Sequence, residues 1–137
     1  MRDAERPTYH EFAPPSELAE IVVRYWCLVA PHDVEPGHFH RVLPDGCVDL
    51  VVVGRGGAFL TVRGPRDTPF DLPLEPADRF WGARLWPDVG GRLLGVVAKS
   101  LLSIQAPGVS FFGAEADVCA RRIAAGGMGG VSSSMPC

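Results

Sequence analysis

The stretch HRVLPDGCVDLVVV, residues 40–53, gathers many of the side chains in this chain that can do chemistry. His38 and His40 stand two residues apart, so on a strand both imidazoles leave the same face and can approach one metal ion. Asp45 or Asp49 would complete such a donor set. All four histidines (His10, His32, His38 and His40) precede residue 41, so no later strand supplies another imidazole. Histidines that are hydrogen-bonded or solvated at a loop–strand junction are the competing reading. Asp45 sits inside Pro44-Asp45-Gly46, where an aspartate also serves as a turn residue bonded to its own backbone. Asp49 interrupts an otherwise apolar run, and a buried carboxylate requires partners or a shifted pKa. It either faces solvent or lines a cavity. If it lines a ligand cavity, Asp49→Ala should abolish the response to ligand and leave the fold intact.

A second constellation is aromatic. Tyr25, Trp26, Phe80, Trp81 and Trp86, with Arg84 among them, suit either a small β core or an apolar pocket with a few aimed polar groups. The candidate ligand-binding residues are therefore His40, Cys47, Asp49, Trp81, Arg84 and Trp86. Cys27 and Cys47 can sense oxidation if neighbouring strands carry them; otherwise they are inert buried thiols. Nothing asks for an enzyme. There is no G-x-S-x-G, the serines cluster near the C-terminus, and GRGG (54–57) precedes a strand rather than a phosphate-binding helix. No cofactor is expected.

The elements that must position these residues are mostly strands. Segments 21–30, 58–63 and 79–86 are rich in β-branched and aromatic residues, and 79–86 reads as the last strong strand. Segments 38–43 and 47–53 flank Pro44-Asp45-Gly46 and read as a hairpin. Segment 69–74 alternates with period two, and Pro73 marks it as an edge. A helical turn opens at Ser16. Pro87 is placed as a first helical residue in 87–104, a segment weakened by glycine. Phe112, Ala116, Cys119 and Ile123 share one face of a helix over 110–123, with acids early and Arg121-Arg122 late. From Ala124 the chain turns Gly/Ser-rich, which divides it into a domain over 1–123 and a flexible tail over 124–137. The expected fold is mainly β with C-terminal helices (α+β), a small sandwich or barrel followed by short helices.

The chain has 137 residues, 47 % hydrophobic and 21 % charged, as a packed globule would. With 16 acidic against 13 basic residues, its net charge is −3. The basic residues form no stripe that would hold nucleic acid through its phosphates. No run approaches the roughly 20 apolar residues that span a bilayer. The N-terminus lacks the apolar core of a secretory signal, and the four cysteines form no CxxC pair, so a cytoplasmic location is expected.

The order of five segments, YHEFAPPSELAEIVVRYWCLVA, HRVLPDGCVDLVVV, VRGPRDTPFDLPLEP, WGARLWPDVGGRLLGV and FFGAEADVCARRI, resembles the N-terminal domain of a group of AraC-type bacterial transcriptional regulators. The likeness rests on Trp26 at the end of a first strand, Arg41 to Leu50 as an R-x-LPDGCVDL core, the turn Gly64-Pro65, and Gly82 to Pro87 as a G-x-R-x-x-P element. It covers roughly residues 9–123. It implies a cupin-like β-barrel that senses a small-molecule effector or mediates homodimerisation. Full regulators of this type continue into two helix-turn-helix units that read the major groove. No such unit follows Ile123 here, so direct DNA binding by this chain is not expected. A stand-alone metal-dependent cupin-type enzyme or binding protein using His38, His40 and Asp45 is the alternative.

Overall fold

A computed structural model describes residues 6–35, 37–42, 46–95, 100, 102 and 104–126. Among the described residues the chain is mainly β, with eight strands in two antiparallel sheets, a 3-10 turn over Ser16–Leu18 and three short α-helices toward the C-terminus. The strands are β1 (Thr8–Phe12), β2 (Val22–Val29), β3 (Phe39–Val42), β4 (Val48–Gly54), β5 (Ala58–Arg63), β6 (Phe70–Pro73), β7 (Arg79–Leu85) and β8 (Gln105–Pro107). The helices are α1 (Pro87–Leu94), α2 (Val109–Phe112) and α3 (Glu115–Gly126). Six strands form one sheet in the order β1-β2-β7-β4-β5-β8, and β3 pairs with β6 in a separate ribbon.

The large sheet is covered on both faces. On one face Val48, Val52, Val62, Trp81 and Leu85 pack with Leu94 of α1 and Ala120 of α3. On the other, Trp26, Leu28, Val51, Val53 and Phe80 pack with Leu72 and Leu74, and with the partly buried Val42 and Phe70. That explains the unbroken apolar run of β4, whose alternate residues enter different cores. Successive positions would face solvent and core if only one side were covered.

The expected hairpin of 38–43 with 47–53 does not form. β3 pairs with β6 from Phe39↔Pro73 to Val42↔Phe70, whereas β4 lies between β5 and β7. The burial demands of the two strands differ. β4 carries apolar residues for two cores and belongs at the centre of the large sheet, while β3 alternates and needs one apolar neighbour. Arg41 and Asp71, directly opposite on the ribbon's outer side, join by two hydrogen bonds of 2.8 and 3.1 Å. That pair raises the Arg41 pKa and lowers that of Asp71, the hydrogen bond being the main cause. Leu43, Pro44 and Asp45 lie outside the described residues, and so does the structural or ligand role assigned to Asp45.

Two further differences concern the ends. β1 and β8 were not expected. β1 is a largely exposed edge with little apolar alternation, and β8 is a three-residue edge held by β5. The C-terminal helix splits at Gly113 into α2 and α3, and it buries Ala116 and Ala120, leaving Cys119 exposed. α3 runs to Gly126, past the expected boundary at 123; residues 127–137 lie outside the description. Pro87 does open α1, and Gly95 closes it in the left-handed conformation. Gly90 lets α1 approach β4 closely, because a β-carbon there would lie 2.6 Å from Val48 Cγ2. No helix among the described residues is long and apolar enough to cross a membrane.

Asp78 anchors the turn that returns the ribbon to β7. Its carboxylate, 1 % exposed, accepts hydrogen bonds from Arg55 Nε at 2.9 Å and from the Glu75 amide at 2.8 Å. Asp78→Ala would leave the Glu75 amide without its acceptor and Arg55 with only the Pro73 carbonyl, at 3.4 Å. We expect a loss of about 2 kcal/mol, read as a lower urea midpoint at unchanged slope. An unchanged midpoint would show the turn to be held by its backbone alone.

Candidate functional site

The face of the large sheet under the ribbon carries an unusual row. Register places Arg24, Arg84, Asp49 and Arg63 side by side on β2, β7, β4 and β5. One carboxylate thus lies between two guanidiniums at neighbouring positions. In the next row toward the other end of β7 come Glu11, Trp26, Gly82, Val51 and Thr61. Gly82 is decisive, since a β-carbon there would fall 2.0 Å from Trp26 Cε2. Its absence lets the indole lie across β7, where Trp26 Nε1 donates to Asp49 Oδ1 at 3.3 Å.

The ribbon roofs this row with the inward half of its alternation. His40 and Leu72 are directly paired, as are Val42 and Phe70. Between ribbon and sheet lies a cavity of about 30 Å³ lined by Tyr9, Trp26, Leu28, His40, Val42, Asp49, Arg63, Leu72 and Arg84. That space holds on the order of two water molecules. The His40 ring stacks on Tyr9 with centroids 5.2 Å apart, closing one side. Tyr9 donates to Glu11 Oε1 at 2.9 Å, and its pKa is pushed up to about 12, chiefly by burial.

The electrostatics are uneven. Asp49 is only 9 % exposed, and Arg84 Nε stands 3.5 Å from its Oδ1. Arg84 also lies 3.8 Å from Glu11, which Arg24 approaches at 3.5 Å. Arg63 is different. It is 8 % exposed, its Nε has no hydrogen-bond partner, and it forms no ion pair among the described residues. Burial lowers its pKa and the nearby Asp49 charge partly offsets this, while Arg66 adds to the lowering. Arg66 Nε is likewise buried and unpartnered, and both guanidiniums lie against the Phe70 ring, at 5.4 Å for Arg63 and 4.8 Å for Arg66. An arginine stays charged even here, so Arg63 places in the cavity a buried positive charge that has no hydrogen bond or ion pair of its own among the described residues.

His40, Asp49 and Arg84, three of the residues singled out from sequence, meet in this cavity. Asp49 lines it instead of facing solvent. The other three stand elsewhere. Trp81 points to the opposite face and packs in the helix-side core, because β7 alternates and Phe80, Gly82 and Arg84 take the ribbon side. Trp86 caps the start of α1, 43 % exposed, with its Nε1 donating to the Ala19 carbonyl at 3.0 Å. Cys47 is half-buried ahead of β4 and is absent from the cavity lining. It does not neighbour Cys27 either: β7 separates the two strands, and Cys27 lies level with Val52 through Trp81. Arg63 and Tyr9 went unnoticed in the sequence. The signal for Arg63 was present, a cation at the end of a strand whose same-face neighbour is Thr61.

His40 is close enough to His38 for the two charges to oppose each other, yet no group of three His, Cys, Asp or Glu side chains assembles among the described residues. Asp45, the third donor of the alternative metal set, lies outside the described residues. Half-burial lowers the His40 pKa below its ordinary 6.5, and His38 contributes further. The unfolded chain therefore takes up this proton before the folded one does. The His40 contribution is fully present above about pH 6.5 and declines as pH falls toward the folded pKa. Denaturation midpoints between about pH 7.5 and 5 should fall more steeply for the wild type than for His40→Gln. Parallel curves would mean that solvent reaches the imidazole freely.

Residues 10–106 match a family model described as a domain of unknown function, DUF6597. No curated protein and no solved structure matches the chain.

Proposed function

The chain belongs to the DUF6597 family, and we propose that it is the effector-sensing or dimerisation domain of an AraC-type regulator. The two-sheet core under its helices would then be a small cupin-like variant. The observation that carries this reading is the cavity roofed by the β3–β6 ribbon. A core built for stability alone has no use for a buried guanidinium without an ion pair, such as that of Arg63, because a buried charge without a partner is costly. Every residue lining the cavity except Tyr9 falls within the segment matched by the family.

The ribbon supplies the moving part. It is a separate sheet, joined to the large one by side-chain packing, with no ladder of backbone hydrogen bonds between them among the described residues. A ligand that fits one spacing of ribbon and sheet better than another shifts the population toward it. The ribbon's outer side, or a dimer partner resting on it, would transmit that shift to a DNA-binding module elsewhere in the regulator. On this reading the chain is cytoplasmic, is not an enzyme and does not itself bind DNA.

A panel of small metabolites tested by thermal shift and by sedimentation of the whole chain decides it. The expected result is a compound that raises Tm and also alters the monomer–dimer balance. A chain that remains monomeric at all concentrations, with no compound changing its stability, would overturn the proposal.

A further inference from the structure

The unpaired Arg63 guanidinium in the cavity goes further than the sensor reading, on which the following rests, and says what kind of molecule is sensed. We infer that the cavity binds a short-chain monocarboxylate, with its carboxylate on Arg63 and its carbon chain between the ribbon and the Trp26–Leu28 side of the large sheet.

Three observations converge. First, Arg63 lines the cavity, is 8 % exposed, and has neither hydrogen bond nor ion pair among the described residues. Asp49 stands directly across the β4–β5 ladder from it, yet that carboxylate accepts from Trp26 and pairs with Arg84. A planar guanidinium with idle donors suits a carboxylate, whose two oxygens match its fork. Second, Arg66 lies beside it, buried at Nε, unpartnered, and on the same Phe70 ring. Two adjacent cations without a carboxylate of their own favour an anion. Third, the rest of the lining limits which anion. Leu28, Val42, Leu72 and the Trp26 indole are apolar, and Asp49 places one negative charge in the same space. A dianion such as phosphate would be repelled by Asp49 and would leave oxygens facing hydrocarbon. A single carboxylate on a short apolar chain satisfies both parts.

The cavity is too small in its closed form for more than a carboxylate head and a carbon or two, given that about 30 Å³ holds on the order of two waters. A longer chain would widen the gap between ribbon and sheet. Ligand length thereby becomes the variable to which the ribbon responds.

The test is titration calorimetry and thermal shift on the whole chain with acetate, propionate and butyrate. Acetamide, 1-propanol, sulfate and inorganic phosphate serve as comparisons at matched ionic strength. Arg63→Met replaces an unpaired buried cation with an apolar chain of similar length, so the variant should stay folded. The Trp26 indole resonance, assigned with Trp26→Phe, reports on the cavity directly. The expected result is carboxylate binding that moves this resonance and weakens by about tenfold or more in Arg63→Met, with no binding of the neutral isosteres. The inference is overturned if no carboxylate binds, if acetamide binds equally, if phosphate or sulfate binds more tightly, or if Arg63→Met binds as the wild type does. The two readings fail separately. A neutral effector acting alike on wild type and Arg63→Met keeps the sensor and removes the carboxylate, whereas carboxylate binding with no change in assembly keeps the site and removes the sensor.

Discussion

Gly82→Ala is expected to cost the domain about 3 kcal/mol or more, at or beyond the top of the usual range for overpacking a core. The added methyl would lie 2.0 Å from Trp26 Cε2, 2.2 Å from Nε1 and 2.3 Å from Cζ2. Three atoms of one rigid ring stand in the way, and no single rotation about a flexible end clears them. The ring is itself held, since Trp26 is buried and donates to Asp49. Nor can the backbone withdraw, because Gly82 is paired with Trp26 on one side and Val51 on the other. Removing a strand glycine returns roughly 0.5–1 kcal/mol of backbone entropy, too little to compensate. Urea denaturation measures the loss. Trp26→Leu in the Gly82→Ala background should recover part of it, a coupling that would be absent if the two residues did not touch. A Gly82→Ala midpoint indistinguishable from wild type would mean that the indole does not lie across β7.

That glycine shows what was legible in the sequence. A glycine inside RFWGARL already suggests a close approach, but it does not say which neighbour approaches. The strands with strong composition (β2, β4, β5 and β7) and Pro87 at the head of α1 follow from propensity and patterning. The partner of each strand does not. β3 and β4 are adjacent in the chain and separated by residues that favour turns, yet pairing went to the strand that satisfied each one's burial. β1 and β8 have little signal of their own and exist because a neighbouring edge offers backbone partners. The site was half legible for the same reason. Asp49 stood out as a charge within an apolar strand and Arg84 as the polar member of the aromatic set, whereas Trp81 seemed equally eligible because period two does not reveal which face receives the ribbon. Arg63 could be weighed only once β5 was known to lie beside Asp49.

Asp49→Ala carries the second large effect, and the expectation from sequence that it would leave the fold intact does not suit the geometry. The carboxylate stands between Arg84 and Arg63 in the register of three adjacent strands and accepts from Trp26. Truncation would leave two largely buried guanidiniums facing each other without it. Removing one member of a buried charged group typically costs about 3–5 kcal/mol, because the remaining charge is uncompensated. A loss in that range is expected for Asp49→Ala by denaturant titration. Asp49→Asn should lose less, since the amide oxygen can still accept from Trp26 while the charge is gone. Arg63→Met placed on Asp49→Ala should restore much of the difference, for it removes one of the stranded cations. Recovery of that kind cannot come from a packing defect at residue 49, which a second truncation would deepen. A loss below about 1 kcal/mol with no recovery would mean that water already screens the row. The same substitution also has a consequence for binding. With Asp49 gone, the cavity loses its one repulsive charge, so Asp49→Asn should hold carboxylates more tightly than the wild type even as it lowers stability. Opposite signs for the two measurements on one variant would show that Asp49 serves the empty fold while setting a limit on the anion.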